Sequence, residues 1–223
     1  MKITKIEQSK TFSNFVNIYI DNNYCCNISH SKLLELGLTK NLSIGESEYK
    51  KLQEASLYSV LERKVIKFIH QRPHSKQEVN QYLNKTAYKF LKEKGFYDVD
   101  QGTVINQLIK ALEENNYIDD IQFTSWFISQ RMNSHRPKGE YYIKQELKQK
   151  GVSLDIIESA FQNINHKKEL ENLDKLARKK YKEISKREPN KYKQKQKLFS
   201  YIKTKGFKQE DIFAVIDSIF KEI

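Results

Sequence analysis

A Lys-Gly pair recurs along this chain at Lys94-Gly95, Lys150-Gly151 and Lys205-Gly206, with the glycines 56 and 55 residues apart. Apolar residues at helical spacing follow each pair, and the three runs align: Ile105, Leu108 and Ile109; Ile157, Ala160 and Phe161; Ile212, Val215 and Ile216. A fixed period of this length marks a repeat architecture, in which each unit is one supersecondary element stacked on its neighbours. In the middle unit, Asp119 and Asp120 are suited to cap a helix, and Phe123, Trp126 and Phe127 form its apolar stripe. A basic turn follows (Arg131, His135, Arg136, Pro137, Lys138, Gly139), then a second amphipathic run through Tyr142, Ile143 and Leu147.

The other units repeat this order. In the first, Leu57, Leu61, Val65, Phe68 and Ile69 share a helical face that must end before Arg72-Pro73, because the residue before proline avoids the α region. Ser75-Lys76-Gln77-Glu78 is a capping box that starts a second helix with Val79 and Leu83 inward. After a polar interruption, Tyr88, Phe90 and Leu91 lead to Gly95, and Asp98 or Asp100 caps a third helix. The middle unit is expected to place helices at 120–132, 139–149 and 154–164, and the last unit to begin near Lys168. The span from Arg72 to Gly95 exceeds that from Arg136 to Gly151. That difference is an insertion with no functional account in the sequence. Residues 1–50 differ in kind: Phe15-Val16-Asn17-Ile18-Tyr19-Ile20, a turn at Asp21-Asn22-Asn23 and a returning strand read as a β-hairpin, which must pack on helices or gain a strand to be stable. The expected fold is mainly α, with three tandem three-helix, helix-turn-helix-like repeats at 51–115, 116–166 and 167–223 behind a small β-hairpin module at 1–50.

With 38% hydrophobic residues, three prolines and seven glycines in 223, the composition suits a folded, largely helical chain. The formal charge is +12, and residues 167–208 hold sixteen Lys or Arg against five acids, or +11, so the remainder is near neutral. A charge so localised points to a polyanionic partner, the alternative being a helix surface kept soluble by charge. Cys25 and Cys26 lie in a strand-like run, so one is expected inward and the other near the surface. Neither a disulfide framework nor a zinc spacing is present, the histidines are scattered, and no metal or cofactor is expected. The N-terminus lacks an apolar signal core, and no stretch approaches the ~18 apolar residues of a membrane span. A cytoplasmic protein with no membrane partner is the expectation.

Asp119-Asp120 is the pair that invites acid–base or metal chemistry, but no histidine, lysine or further carboxylate stands at a spacing that would converge on it. As cap and first-turn residues the two aspartates serve a helix instead. Trp126 and Phe127 belong to a stripe that packs in a core, whereas stacking on bases would need exposure. With no phosphate-cradling glycine loop and no nucleophile elbow, no catalysis is expected.

The order Tyr117-Ile118-Asp119-Asp120, Phe123, Trp126, a basic turn with Gly139, then Ile143, Glu146-Leu147 and Lys150-Gly151, resembles the central repeat of the RecX family of RecA regulators. Arg72-Pro73-His74-Ser75 is similar to that family's turn in the first repeat. Ile3-Thr4-Lys5-Ile6 with Asn17-Ile18-Tyr19-Ile20-Asp21 is similar to the β extension of its Gram-positive members. The likeness covers nearly the whole chain and is strongest over 57–161. It departs at Thr124, where alanine is common, and at the insertion before Lys94. The resemblance implies an elongated, curved, basic monomer that binds in the groove of the RecA–single-stranded-DNA filament. It also implies modulation, mainly inhibition, of filament growth and of recombinase and co-protease activity, and so of recombination, repair and the SOS response.

On that resemblance, two groups of basic residues are candidates for contact with RecA or with DNA, free DNA included. Arg131, Arg136 and Lys138 crowd a turn where the helix beginning near Gly139 also offers N–H groups to phosphate, the alternative being solvation, and Lys144 and Lys148 extend the same face. Lys175, Arg178, Lys179, Lys182 and Lys186, with Arg187, line one flank of the next helix, and Lys191, Lys193 and Lys195 alternate with Tyr192 and glutamines beyond it. Gly95, Gly151, Gly206, Asp119, Asp120, Phe123 and Trp126 are the expected structural positions. A helix-turn-helix regulator of duplex DNA is the competing function, disfavoured because the helices after the glycines are acidic or apolar.

Overall fold

The computed structural model describes residues 1–162, 164 and 166–222. The described residues form three β-strands and ten α-helices, in two compact units, Met1–Ile118 and Asp119–Ile223.

In the first unit, β1 (Ile3–Gln8), β2 (Phe15–Ile20) and β3 (Asn23–Ser29) form an antiparallel sheet in that order. The expected hairpin is present, and its two-residue turn has Asp21 and Asn22 at φ 46° and 67°, the left-handed pair that matches strand twist. The partner that it needed is β1, whose Ile6 faces Ile18 and whose Gln8 faces Val16. The module is thus a three-stranded sheet rather than a hairpin alone. Its inner face, with Ile3, Ile18, Cys26 and Ile28 all fully buried, has no core of its own and shares one with the helices. Cys25 is half-buried, as alternation requires.

A short α1 (His30–Glu35), capped by the Ser29 hydroxyl, leads to α2 (Glu46–Ile69), which lies against β3. Two small polar residues permit and fix that approach. The Ser59 hydroxyl accepts from the Ser29 N–H at 3.0 Å, and Ser56 donates to the Asn27 carbonyl at 3.1 Å. The other face of α2 packs on α3 (Lys76–Lys94) and α4 (Gln101–Glu114). Asp100 caps α4, accepting from the N–H groups of Gly102 and Thr103. The expected polar interruption does not break α3. Val79, Leu83, Ala87 and Phe90 keep an i, i+4, i+8, i+11 stripe buried through it, so the insertion simply lengthens the helix to 19 residues.

The second unit holds α5 (Asp120–Met132), α6 (Glu140–Gln149), α7 (Leu154–Gln162), α8 (His166–Ser185), α9 (Lys191–Lys203) and α10 (Gln209–Lys221). Residue 163, inside the expected 154–164 helix, lies outside the described residues. Phe123, Phe127, Ile143, Leu147 and Ile157 centre one core; Leu173, Ala177, Leu198, Ile202, Ile212 and Ile216 centre the next. The recurring glycine has one physical cause: Gly95, Gly151 and Gly206 sit at φ 70°, 77° and 80°, where an L side chain is strained.

Backbone joins the two helix trios of this unit directly. The Gly139 N–H donates to the Lys205 carbonyl at 2.9 Å, and Tyr141 N–H donates to the Gly206 carbonyl at 3.2 Å. A Cβ on Gly139 would stand 2.5 Å from Gly206 carbonyl atoms, and one on Gly206 would stand 2.2 Å from the Tyr142 ring and 2.9 Å from its backbone nitrogen. Gly206→Ala therefore adds a backbone clash to the strain of left-handed backbone, itself about 1–2 kcal/mol. Gly37, at φ 59° with open space around it, carries the strain alone. In thermal unfolding, Gly206→Ala is expected to lower the midpoint by at least twice as much as Gly37→Ala.

Candidate nucleic-acid interface

The helix α8 is amphipathic in a strict sense. Leu173, Leu176, Ala177 and Ile184 are buried, while Lys168, Lys175, Lys179 and Lys182 fall at spacings of seven, four and three on the far side, with Lys186 next in line, all exposed. Among the described residues no ion pair engages Lys175, Lys179, Lys182, Lys186, Arg187, Lys191 or Lys193, nor Arg136 or Lys148 of the preceding trio. Lys191 and Lys193 sit in the first turn of α9, which the Asn190 side chain caps by accepting from the Lys193 N–H at 3.1 Å. The turn before it is held by buried Gln194, which donates to the Glu188 carbonyl at 2.6 Å and accepts from the Tyr181 hydroxyl at 3.2 Å.

The remaining expected contact residues are spent on carboxylates. Arg131 (2.5 Å) and Lys138 both bind Glu146; burial favours the protonated carboxyl, but the two cations outweigh it and hold Glu146 below the ordinary carboxylate range. Lys144 lies between Glu140 and Glu158. Arg178 is gripped on two sides, by Asp174 at 2.8 Å and by Glu222 at 2.7 Å, and the Glu222 bond is the main cause raising its guanidinium above the usual range. Lys195 pairs with Asp217 at 2.6 Å.

The N-terminus of α6 also differs from the expected phosphate site. The N–H groups of Gly139, Glu140 and Tyr141 are taken by the Lys205 carbonyl, the Glu169 carboxylate (3.2 Å) and the Gly206 carbonyl. These donors hold the helix trios together and are not turned to a ligand.

The same junction brings together two expected residues from different trios. Arg136 and His135, from the turn after α5, line one cavity of about 270 Å³ with Leu176, Lys179, Lys180 and Glu183 of α8, Tyr201 of α9 and Lys205. The ammonium groups of Lys180 and Lys205 each stand 4.9 Å from the Tyr201 ring centroid, within cation–π range, and Lys180 also pairs with Glu183 at 2.7 Å. Lys182, Lys186 and Arg187 line a neighbouring cavity of about 420 Å³ with Lys197, which pairs with Glu188 at 2.6 Å. Sequence reasoning missed Lys180, Tyr201 and Lys205 as members of such a site. Their signal was positional, since Lys205 precedes the repeated glycine that meets Gly139.

The structural motif residues are placed as follows. The Asp119 carboxylate accepts from the N–H groups of Ile121 (2.7 Å) and Gln122 (3.4 Å), which is a cap, and Asp120 begins α5. Phe123 is fully buried, with Trp126 half-buried 6.0 Å from its ring centroid, an arrangement of core packing. Among the described residues, no three His, Cys, Asp or Glu side chains gather to hold a metal, and no helix is long and apolar enough to cross a membrane.

Family models match three stretches: "Regulatory protein RecX N-terminal domain" over residues 1–45, "RecX, second three-helix domain" over 119–160 and "RecX, third three-helix domain" over 167–216. A regulatory protein RecX of Clostridium tetani is 33% identical over 222 residues, covering 98% of this chain and 94% of its own. Another from Streptococcus agalactiae is 30% identical over 219 residues, covering 98% and 77%. The fold is similar to the crystal structure of a regulatory protein RecX (TM-score 0.73, 23% identity, 97% of this chain and 98% of that one). It is also similar to that of RecX from Lactobacillus salivarius (TM-score 0.61, 22% identity, 74% and 97%).

Glu146 supplies a test of the paired charges. Its depressed carboxyl contributes stability that is present above the unfolded carboxylate value, about 4.3, and lost as pH falls through its lower folded value. Glu146→Gln should lower the melting midpoint at pH 7 by an amount matching about 1 kcal/mol for a partly exposed pair. The gap from the parent should close below about pH 4. Circular dichroism melts at both pH values read the difference; a gap that persists in acid would mean that Glu146 acts by packing.

Proposed function

The chain belongs to the RecX family, and from that premise we propose that it regulates RecA by binding in the groove of the RecA–single-stranded-DNA filament. In that complex it modulates, mainly by inhibition, filament growth and the recombinase and co-protease activities that depend on it. It acts as a monomer and performs no catalysis. The outer stripe of α8, continued by Lys186, Arg187, Lys191 and Lys193, carries the proposal, because its ammonium groups are exposed and unpaired among the described residues. Such a stripe is suited to phosphate oxygens or to acidic patches on a protein. Arg136, from the neighbouring trio, extends it through the cavity that it shares with Lys179. Arg131, Lys138, Lys144, Arg178 and Lys195 serve mainly to hold the unit together in this scheme.

A helix-turn-helix reader of duplex DNA would present arginines, asparagines or glutamines on a recognition helix. Here α7 carries Asp155 and Glu158 and no Lys or Arg, which supports the filament instead.

The single-stranded-DNA-dependent ATPase of RecA reads the function directly. With excess duplex competitor present, this protein should depress the ATPase at doses far below RecA. Replacing Lys175, Lys179, Lys182 and Lys186 together by alanine should raise the effective dose about tenfold or more. It should also flatten the salt dependence of binding by a log–log slope of about 3, at ~0.7 per phosphate contact. Lys195→Ala, which breaks a surface ion pair, should change the dose little. No depression until the DNA itself is saturated would mean a plain basic DNA-binding protein.

A further inference from the structure

The lengthened helix α3 carries a feature that the filament-binding face does not use. Lys85, Tyr88 and Lys92 lie at i, i+3 and i+7 on its solvent side, opposite the buried Leu83, Ala87 and Phe90. Just beyond the Gly95 cap, the chain turns so that Tyr97 stands beside the end of the same helix. Tyr88 is 66% exposed and Tyr97 81%, so both rings are open to solvent. Between them lies a hollow of about 470 Å³ walled by Tyr88 and Tyr97, rimmed by Lys92 and Gln101, and floored by Leu91, Phe96 and Val99. No carboxylate is among its lining residues, and neither Lys85 nor Lys92 has an ion-pair partner among the described residues. Asp100, nearby, is committed to the cap of α4.

We propose that this hollow is a stacking site for the exposed bases of a single-stranded polynucleotide, with Tyr88 and Tyr97 as platforms and Lys85 and Lys92 on the flanking phosphates. Aromatic faces beside a row of ammonium groups are how sequence-tolerant single-strand binders hold their ligand, the ring meeting the base and the lysine meeting the backbone. The lining offers two ring faces and an ammonium group with no carboxylate, which matches bases and phosphates together, whereas an acidic peptide would need only the lysines. The helix that carries the site is the one lengthened by the insertion that makes the first repeat longer than the second. The contact therefore belongs to this repeat and is additional to the face on α8.

The test uses the full chain without RecA, so its outcome is separate from that of the filament proposal. Binding of fluorescein-labelled oligo-dT is measured beside an oligonucleotide of equal length with abasic positions. The Tyr88→Ala/Tyr97→Ala variant is expected to bind oligo-dT roughly tenfold more weakly, to bind the abasic strand as the parent does, and to keep the parent's melting midpoint. Tyr88→Phe/Tyr97→Phe should retain the parent's affinity, because the ring and not the hydroxyl is used. Lys85→Ala/Lys92→Ala should weaken both strands and reduce the salt slope. In the parent, an oligonucleotide with 5-iodouracil should photo-crosslink to Tyr88 or Tyr97. Unchanged oligo-dT affinity in the double alanine variant, equal losses on both strands, or crosslinks confined to the second unit would each overturn the proposal. So would loss of filament binding with oligo-dT affinity intact, since the hollow would then serve a protein.

Discussion

Two glycines meeting backbone to backbone set the geometry of the second unit. Gly139 and Gly206 lie so close that neither position tolerates a Cβ, and the hydrogen bonds made possible by that approach consume the free N–H groups at the start of α6. Lys208 on Glu140 at 3.1 Å and the Asn172 amide on the Met132 carbonyl at 3.1 Å reinforce the same junction. Because the contact is between main chains, it fixes where the turn bearing Arg136 sits against α8 and α9. The cavity shared by Arg136, Lys179, Tyr201 and Lys205 depends on it.

Charge in this protein is divided between structure and surface. Glu146 and Glu140 each collect two cations and Glu222 holds Arg178, and these bonds tie separate segments of the unit together. Lys175, Lys179, Lys182 and Lys186 have no ion-pair partner among the described residues and stay in solvent. The same residue type therefore does two jobs, decided by whether a carboxylate lies within reach. A net charge of +12 describes the solution behaviour of the chain, while the unpaired stripe on α8 describes what a polyanion would meet.

The first unit solves a different problem. A small sheet and four helices share one core, and Ser56 and Ser59 let α2 approach β3 closely while satisfying backbone groups at the end of the strand. Within it, α3 outruns the pattern of the other trios yet keeps one continuous apolar stripe, so its extra length reaches solvent as surface.

Much of this was legible in the primary structure because it depends on local chemistry. The Lys-Gly period, the caps at Ser75, Asp100 and Asp119, the turn at Asp21-Asn22 and the buried faces of α2, α5 and α8 follow from helical periodicity, capping preferences and left-handed backbone, all written within a few residues. What could not be read there needed distance in sequence to become proximity in space. That Arg131 and Lys138 are spent on Glu146, that Arg178 reaches Glu222, and that the N–H groups of α6 face Lys205 and Gly206 are consequences of packing. Periodicity places a residue on a face, but it does not say which carboxylate or carbonyl the fold will set opposite it, and that pairing separates a structural cation from one left for a ligand.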